Sequence, residues 1–152
     1  MMERALMLRF SRLFAAIAFA GLMFVLSNMA MPLFAPANPP RYFLVINLVL
    51  AVVWGWRMTS VRPHRSLVAA ASGGITAGVV IAVWALLAHG FVSMIYFSMQ
   101  GKYHGPVDAV VAAIGLALQL GATLINSTLF ATALAGAMVI GGVSGWIGRY
   151  FD

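Results

Sequence analysis

General acid–base or nucleophilic catalysis needs several titratable groups held together, and this 152-residue sequence holds few of them. Its acids are Glu3, Asp108 and Asp152, two of them at the chain ends, so no carboxylate pair can flank a substrate. His64, His89 and His104 are scattered and never reach the i, i+4 spacing that puts two ligands on one helix face. His104 and Asp108 are four apart, but Pro106 suits the first position of a helix and leaves His104 outside it, in a hydrated turn. The absence of cysteine excludes disulfides, Cys-ligated metal sites and thiol redox chemistry within the chain. Met29 and Met31, with Met94 and Met99, could hold a soft ion such as copper(I), although thioethers serve as readily as flexible packing. No glycine-rich phosphate loop or Gly-x-Ser-x-Gly elbow is present. The sequence therefore assigns no catalytic residue, no metal ligand and no cofactor.

One charged cluster stands out. Arg57, Arg62 and Arg65, beside Trp54 and Trp56, could gather an oxyanion or anionic lipid headgroups, because guanidinium offers planar bidentate donors. The plainer reading is a positively charged loop that fixes membrane topology.

The elements that must position these groups are membrane helices. Hydrophobic residues make up 63% of the chain and charged ones 8%, a balance from which no soluble surface can be built. The formal net charge is +6, but the positive residues fall in short clusters between charge-free runs, which is a membrane pattern and not a nucleic-acid-binding one. About 20 apolar helical residues cross a hydrocarbon core of about 30 Å. The runs predict one membrane domain, 1–152, with crossings at 13–32, 42–58, 67–89 and 124–147 and a short helical hairpin, 91–120, between the third and fourth. The third run is too long for one crossing, and His89-Gly90 is the expected break. Asn126-Ser127-Thr128 marks a second irregularity, in the fourth run. The fold class is thus an all-α integral membrane protein of about four transmembrane helices.

Arg4, Arg9, Arg12, Arg57, Arg62, Arg65 and Arg149 lie on one side of these crossings, and only Arg41 and Lys102 on the other. The positive-inside rule then places both termini in the cytoplasm. Ala35-Pro36-Ala37 resembles a signal-peptide cleavage site but lies about 11 residues beyond the apolar stretch, which is far for cleavage. Cleavage there would leave three crossings in the same orientation.

Small residues recur every four positions at Ala70, Gly74, Gly78 and Ala82, and again at Ala133, Ala137, Gly141 and Gly145. Such stripes let helix backbones approach closely in lipid, where hydrophobicity cannot drive association. They predict packing of the third crossing on the fourth within one chain, or alternatively a homo-oligomer interface. Asn28 and Asn47, in the first two crossings, are each expected to make an interhelical hydrogen bond.

The pieces Met31-Pro32-Leu33-Phe34, Ile46-Asn47-Leu48, Gly55-Trp56-Arg57-Met58, Gly74-Ile75-Thr76 and Tyr103-His104-Gly105-Pro106-Val107-Asp108-Ala109-Val110 resemble the TrgA family of small bacterial membrane proteins linked to tellurium resistance. The likeness runs over about 13–150. It implies a multi-pass inner-membrane protein associated with tellurite tolerance and carries over no mechanism; the Arg57, Arg62 and Arg65 cluster suits limited oxyanion entry or export, while the small-residue stripes and the scarcity of intramembrane charge suit an accessory subunit of a larger membrane complex. It carries over no catalytic residue. The family pattern has more acids in the hairpin and the last helix, whereas 91–101 and 109–148 here have none, so a proton- or cation-coupled role for such acids does not transfer. The partners expected are the bilayer and either a second copy or a membrane complex.

Overall fold

In the computed structural model the backbone is described for residues 2–35, 38–40, 42–58 and 66–150, and side chains for 11–35, 38–40, 42–58 and 66–147. Its elements are α1 (Met2–Ala30), a 3-10 turn (Met31–Phe34), α2 (Phe43–Met58), α3 (Leu67–Met99), α4 (Pro106–Thr123) and α5 (Ser127–Tyr150). The protein is an all-helical membrane protein, with no strand among the described residues. Four stretches are long and apolar enough to cross a bilayer: Ser11–Phe34, Leu67–Met99, Pro106–Thr123 and Ser127–Ile147. The 16-residue α2, expected as the second crossing, is shorter, though Arg57 in its last turn can extend toward the interface and complements the helix dipole.

Local chemistry explains most boundaries. Ser66 caps α3 by accepting from the Ala69 N–H at 3.1 Å. Gly101, with φ of 70°, turns the chain out of α3 in the left-handed region that glycine enters without strain. Extended Gly105 precedes Pro106 at the start of α4, and Asp108 sits in that first turn, as the sequence predicts. Asn126 caps α5, its Oδ1 accepting from Thr128 N–H at 2.9 Å, so the Asn126-Ser127-Thr128 irregularity is a helix start.

The expected break at His89-Gly90 does not exist, because α3 runs unbroken for 33 residues. Gly90 is a packing residue: a Cβ there would collide with the Ala113 carbonyl and lie 3.0 Å from the Ala117 Cβ, so its absence lets α4 press against α3. The 91–120 hairpin is therefore the C-terminal end of α3 followed by α4, without a separate first helix.

Helix α3 is the spine. Its first half takes α5, with Gly74 against Ala137 and Gly141, and Gly145 against Ala70. Its second half takes α4, with Gly90 against Ala113 and Ala117, and Leu86 against Gly121. Helices α4 and α5 thus lie in series along one partner and not side by side. At 1.5 Å per residue α3 is about 50 Å long, and 67–89 alone spans about 35 Å, the depth of a hydrocarbon core with its margins. The turn between α1 and α2 closes at the level of His89, where Phe34 meets Phe43 edge-on and Phe43 stacks on the His89 ring. Beyond that level α3 continues for about 15 Å alongside α4.

On the other face α1 and α2 pack antiparallel, with Gly55 against the backbone of Ala15 and Ala16. Trp54 stacks on Trp84 with ring centroids 5.5 Å apart.

Substituting Gly74→Ala or Gly141→Ala should destabilise the detergent-solubilised protein by about 1–3 kcal/mol through overpacking. Gly142→Ala, where a Cβ meets open space, should be neutral or slightly stabilising. Thermal unfolding of the three variants side by side checks this.

Candidate functional site: a buried histidine at the end of an apolar cavity

Three polar side chains from three helices meet where α1, α2 and α3 converge. Asn47 Nδ2 donates to Ser27 Oγ at 2.9 Å, and Asn47 Oδ1 faces His89 Nε2 at 3.0 Å. Hydroxyl, amide and imidazole thus form one polar chain from α1 through α2 to α3. All three residues are buried, His89 at 2% exposure. His89 Nδ1 makes no hydrogen bond. A buried polar atom without a partner costs about 1–3 kcal/mol, which makes this nitrogen the unusual feature of the network.

His89 lies at one end of a cavity of about 630 Å³. Phe19, Leu22, Met23 and Leu26 of α1, Ile75 through Leu86 on the inner face of α3, and Leu129, Ala133 and Ala137 of α5 make its walls, while Ser27, Asn47, His89, Asn126 and Ser127 gather toward its upper part. No Lys, Arg, Asp or Glu lines it among the described residues. Leu22 meets Gly136 where α1 and α5 touch. Above that contact the wall opens outward, since the lining residues Phe130 and Ile125 are 70% and 85% exposed.

The eight small residues of the two stripes divide here. Ala70, Gly74, Gly78, Ala137, Gly141 and Gly145 come together between α3 and α5 of one chain. Ala82 and Ala133 line the cavity, together with Gly78 and Ala137. Of the arginine cluster, Arg57 is exposed at the end of α2, while Arg62 and Arg65 lie outside the described residues. The side chains of Arg4, Arg9 and Arg149 do too, as do His64, Pro36 and Ala37. His104 and Asp108 fall in the turn before α4 and in its first turn, and no group of three metal-ligating residues occurs among the described residues. Met31 opens the 3-10 turn, and Met99 is 84% exposed at the end of α3.

The expectation for Asn28 is corrected. Its Nδ2 donates to the Phe24 carbonyl of its own helix at 2.8 Å, on an exposed face. Ser27, one position earlier and about 100° around the helix, is the residue that reaches α2. Sequence reasoning also missed His89, having treated it as a helix end. The available signal was an ionisable side chain inside an apolar run, which in a membrane helix marks a functional position and calls for a named partner.

Comparison with protein-family models, with curated proteins and with solved structures returned no match.

Asn47→Leu removes both interhelical hydrogen bonds and should cost about 1–2 kcal/mol of stability in detergent or bilayer. Asn28→Leu should be close to neutral. Unfolding curves of the two variants under identical conditions distinguish them.

Proposed function

We propose that this chain is a non-enzymatic, multi-pass protein of the bacterial inner membrane, with both termini cytoplasmic, that supports tellurite tolerance as an accessory subunit of a larger membrane complex. The tellurite assignment rests on the residue pieces that resemble the TrgA family. The observation that carries the accessory role is the projecting end of α3 with α4. Phe91, Ile95, Tyr96 and Met99 on α3 and Val107, Val110, Val111 and Ile114 on α4 are exposed, most of them beyond the level at which α1 and α2 turn. Apolar side chains are exposed on every helix, where lipid or a partner must cover them, and this pair carries the part of that surface past the level of the α1–α2 turn. A membrane partner that covers the projecting pair satisfies that demand.

The alternative is a protein that limits oxyanion entry or promotes export, and it is favoured by Arg57, Arg62 and Arg65. The cavity lining weighs against this reading. An oxyanion path through a bilayer needs compensating charge or dense polar contacts, and the cavity offers neither a Lys nor an Arg among the described residues.

Total cell-associated tellurium after a fixed sublethal tellurite exposure separates the two. The accessory role requires equal content, with better survival, in cells that carry the protein. Lower content in those cells overturns it in favour of exclusion or export. Recovery from mild detergent of this chain alone, at a discrete oligomeric size, would also count against an accessory subunit and point to a homo-oligomer.

A further inference from the structure

We infer that a second pocket, between the end of α3, the turn after it and α4, seats the headgroup of an anionic phospholipid, with Lys102 as the cation that meets its phosphate. The pocket is separate from the cavity beside His89, and the inference does not depend on the tellurite reading.

The pocket has a volume of about 460 Å³ and two unlike surfaces. Lys102, Tyr103 and Gln119 supply an ammonium, a phenol and an amide, while Phe97, Ala112, Gly115 and Leu116 make an apolar floor. No Asp or Glu lines it, and Asp108, one turn before Ala112 on α4, stays outside. Its one formal charge is therefore positive, and the complementary ligand joins an anion to an apolar body.

Lys102 is set in place by its neighbours. Its backbone N–H donates to the Phe97 carbonyl at 3.3 Å, and its Nζ stands 4.5 Å from the centroid of the Phe97 ring. A ring face holds an ammonium without consuming all three of its N–H donors, so Nζ keeps donors for an oxyanion. A choline or ethanolamine cation would find no acid among the lining residues and would stand beside a like charge. A phosphate with an uncharged substituent meets neither penalty.

Depth points to the same ligand. Ala117 packs against Gly90, and Gly121 lies against Leu86, so Gln119, between them on α4, stands at the level of Ala88 and His89. There the stretch of α3 that matches a hydrocarbon core ends. Phe97 is about 12 Å further along α3. The pocket thus starts at the hydrocarbon edge and rises through the headgroup layer, about 5–8 Å deep, where a lipid carries its glycerol esters and then its phosphate. The Gln119 amide and the Lys102 ammonium follow in that order. Ala112, Gly115, Leu116 and Gln119 share one face of α4, about 140° around from the face of Val107, Val110, Val111 and Ile114. A protein partner on that second face leaves the pocket free.

Lys102 is the only lysine in the sequence, which makes it its own reporter. The full chain in dodecyl maltoside is reductively methylated with 13C-formaldehyde, which keeps the positive charge, and the Lys102 signal is identified by its loss in Lys102→Gln. Dioleoylphosphatidylglycerol, dioleoylphosphatidylcholine at equal micellar mole fraction, and inorganic phosphate are titrated separately. The signal should shift with phosphatidylglycerol at about fivefold lower mole fraction than with phosphatidylcholine, the worth of one lysine at an anionic lipid surface. Gly115→Leu fills the pocket at a position where a Cβ meets open space, so it should fold normally and suppress the response. An unchanged response in Gly115→Leu would overturn the proposal, because Lys102 would then be reporting the micelle surface and not a pocket. Equal responses to the two lipids, a response to inorganic phosphate as large as that to phosphatidylglycerol, or no response to either lipid would each overturn it too.

Discussion

Asn47 is the joint on which the bundle turns. In lipid the tails are as apolar as the helices, so burial of leucine against leucine supplies no net drive to associate. Hydrogen bonds between helices and close backbone approach must do that work. Asn47 reaches Ser27 on α1 with its nitrogen and His89 on α3 with its oxygen, so one amide ties three helices at one level. The Phe34, Phe43 and His89 rings close over the same point. The approach of α1, α2 and α3 at this level rests on this knot.

The second constraint is length. An unbroken α3 is longer than a bilayer is thick, and the chain returns along it in two pieces, with Asn126 capping the start of the second. Each piece makes its own glycine-mediated contact, α4 at Gly90 and α5 at Gly74 and Gly141. The slot arises where these contacts give out. Below, α5 lies tightly on α3 and touches α1 through Gly136 and Leu22; above, Ala82 and Ala133 line the cavity that α1, α3 and α5 leave between them.

Much of this was legible from residue types and spacing. The small-residue stripes gave the α3 to α5 contact because their four-residue period is a property of the helix itself, independent of what lies opposite. Pro106 and Asp108 marked a helix start, and Asn126 an irregularity, through local backbone chemistry that needs no tertiary information. What failed were the judgements that depend on a neighbour. Gly90 looked like a breaker, since nothing in the sequence says that the Ala113 carbonyl will sit against it. Asn28 looked as suitable as Asn47, and only the rotation of α1 about its axis turns Ser27 inward and Asn28 outward. His89 looked like the last residue of a helix because its partner is 42 positions away.

The central claim is that Asn47 and His89 are energetically coupled across α2 and α3 inside the membrane. A double-mutant cycle with Asn47→Leu, His89→Phe and the two combined, read as unfolding free energy in bicelles, measures that coupling directly. The account predicts a coupling of about 0.5–2 kcal/mol, the range of interhelical hydrogen bonds in lipid. Strict additivity of the two single effects would contradict it, because the two side chains would then contribute to the fold independently of each other.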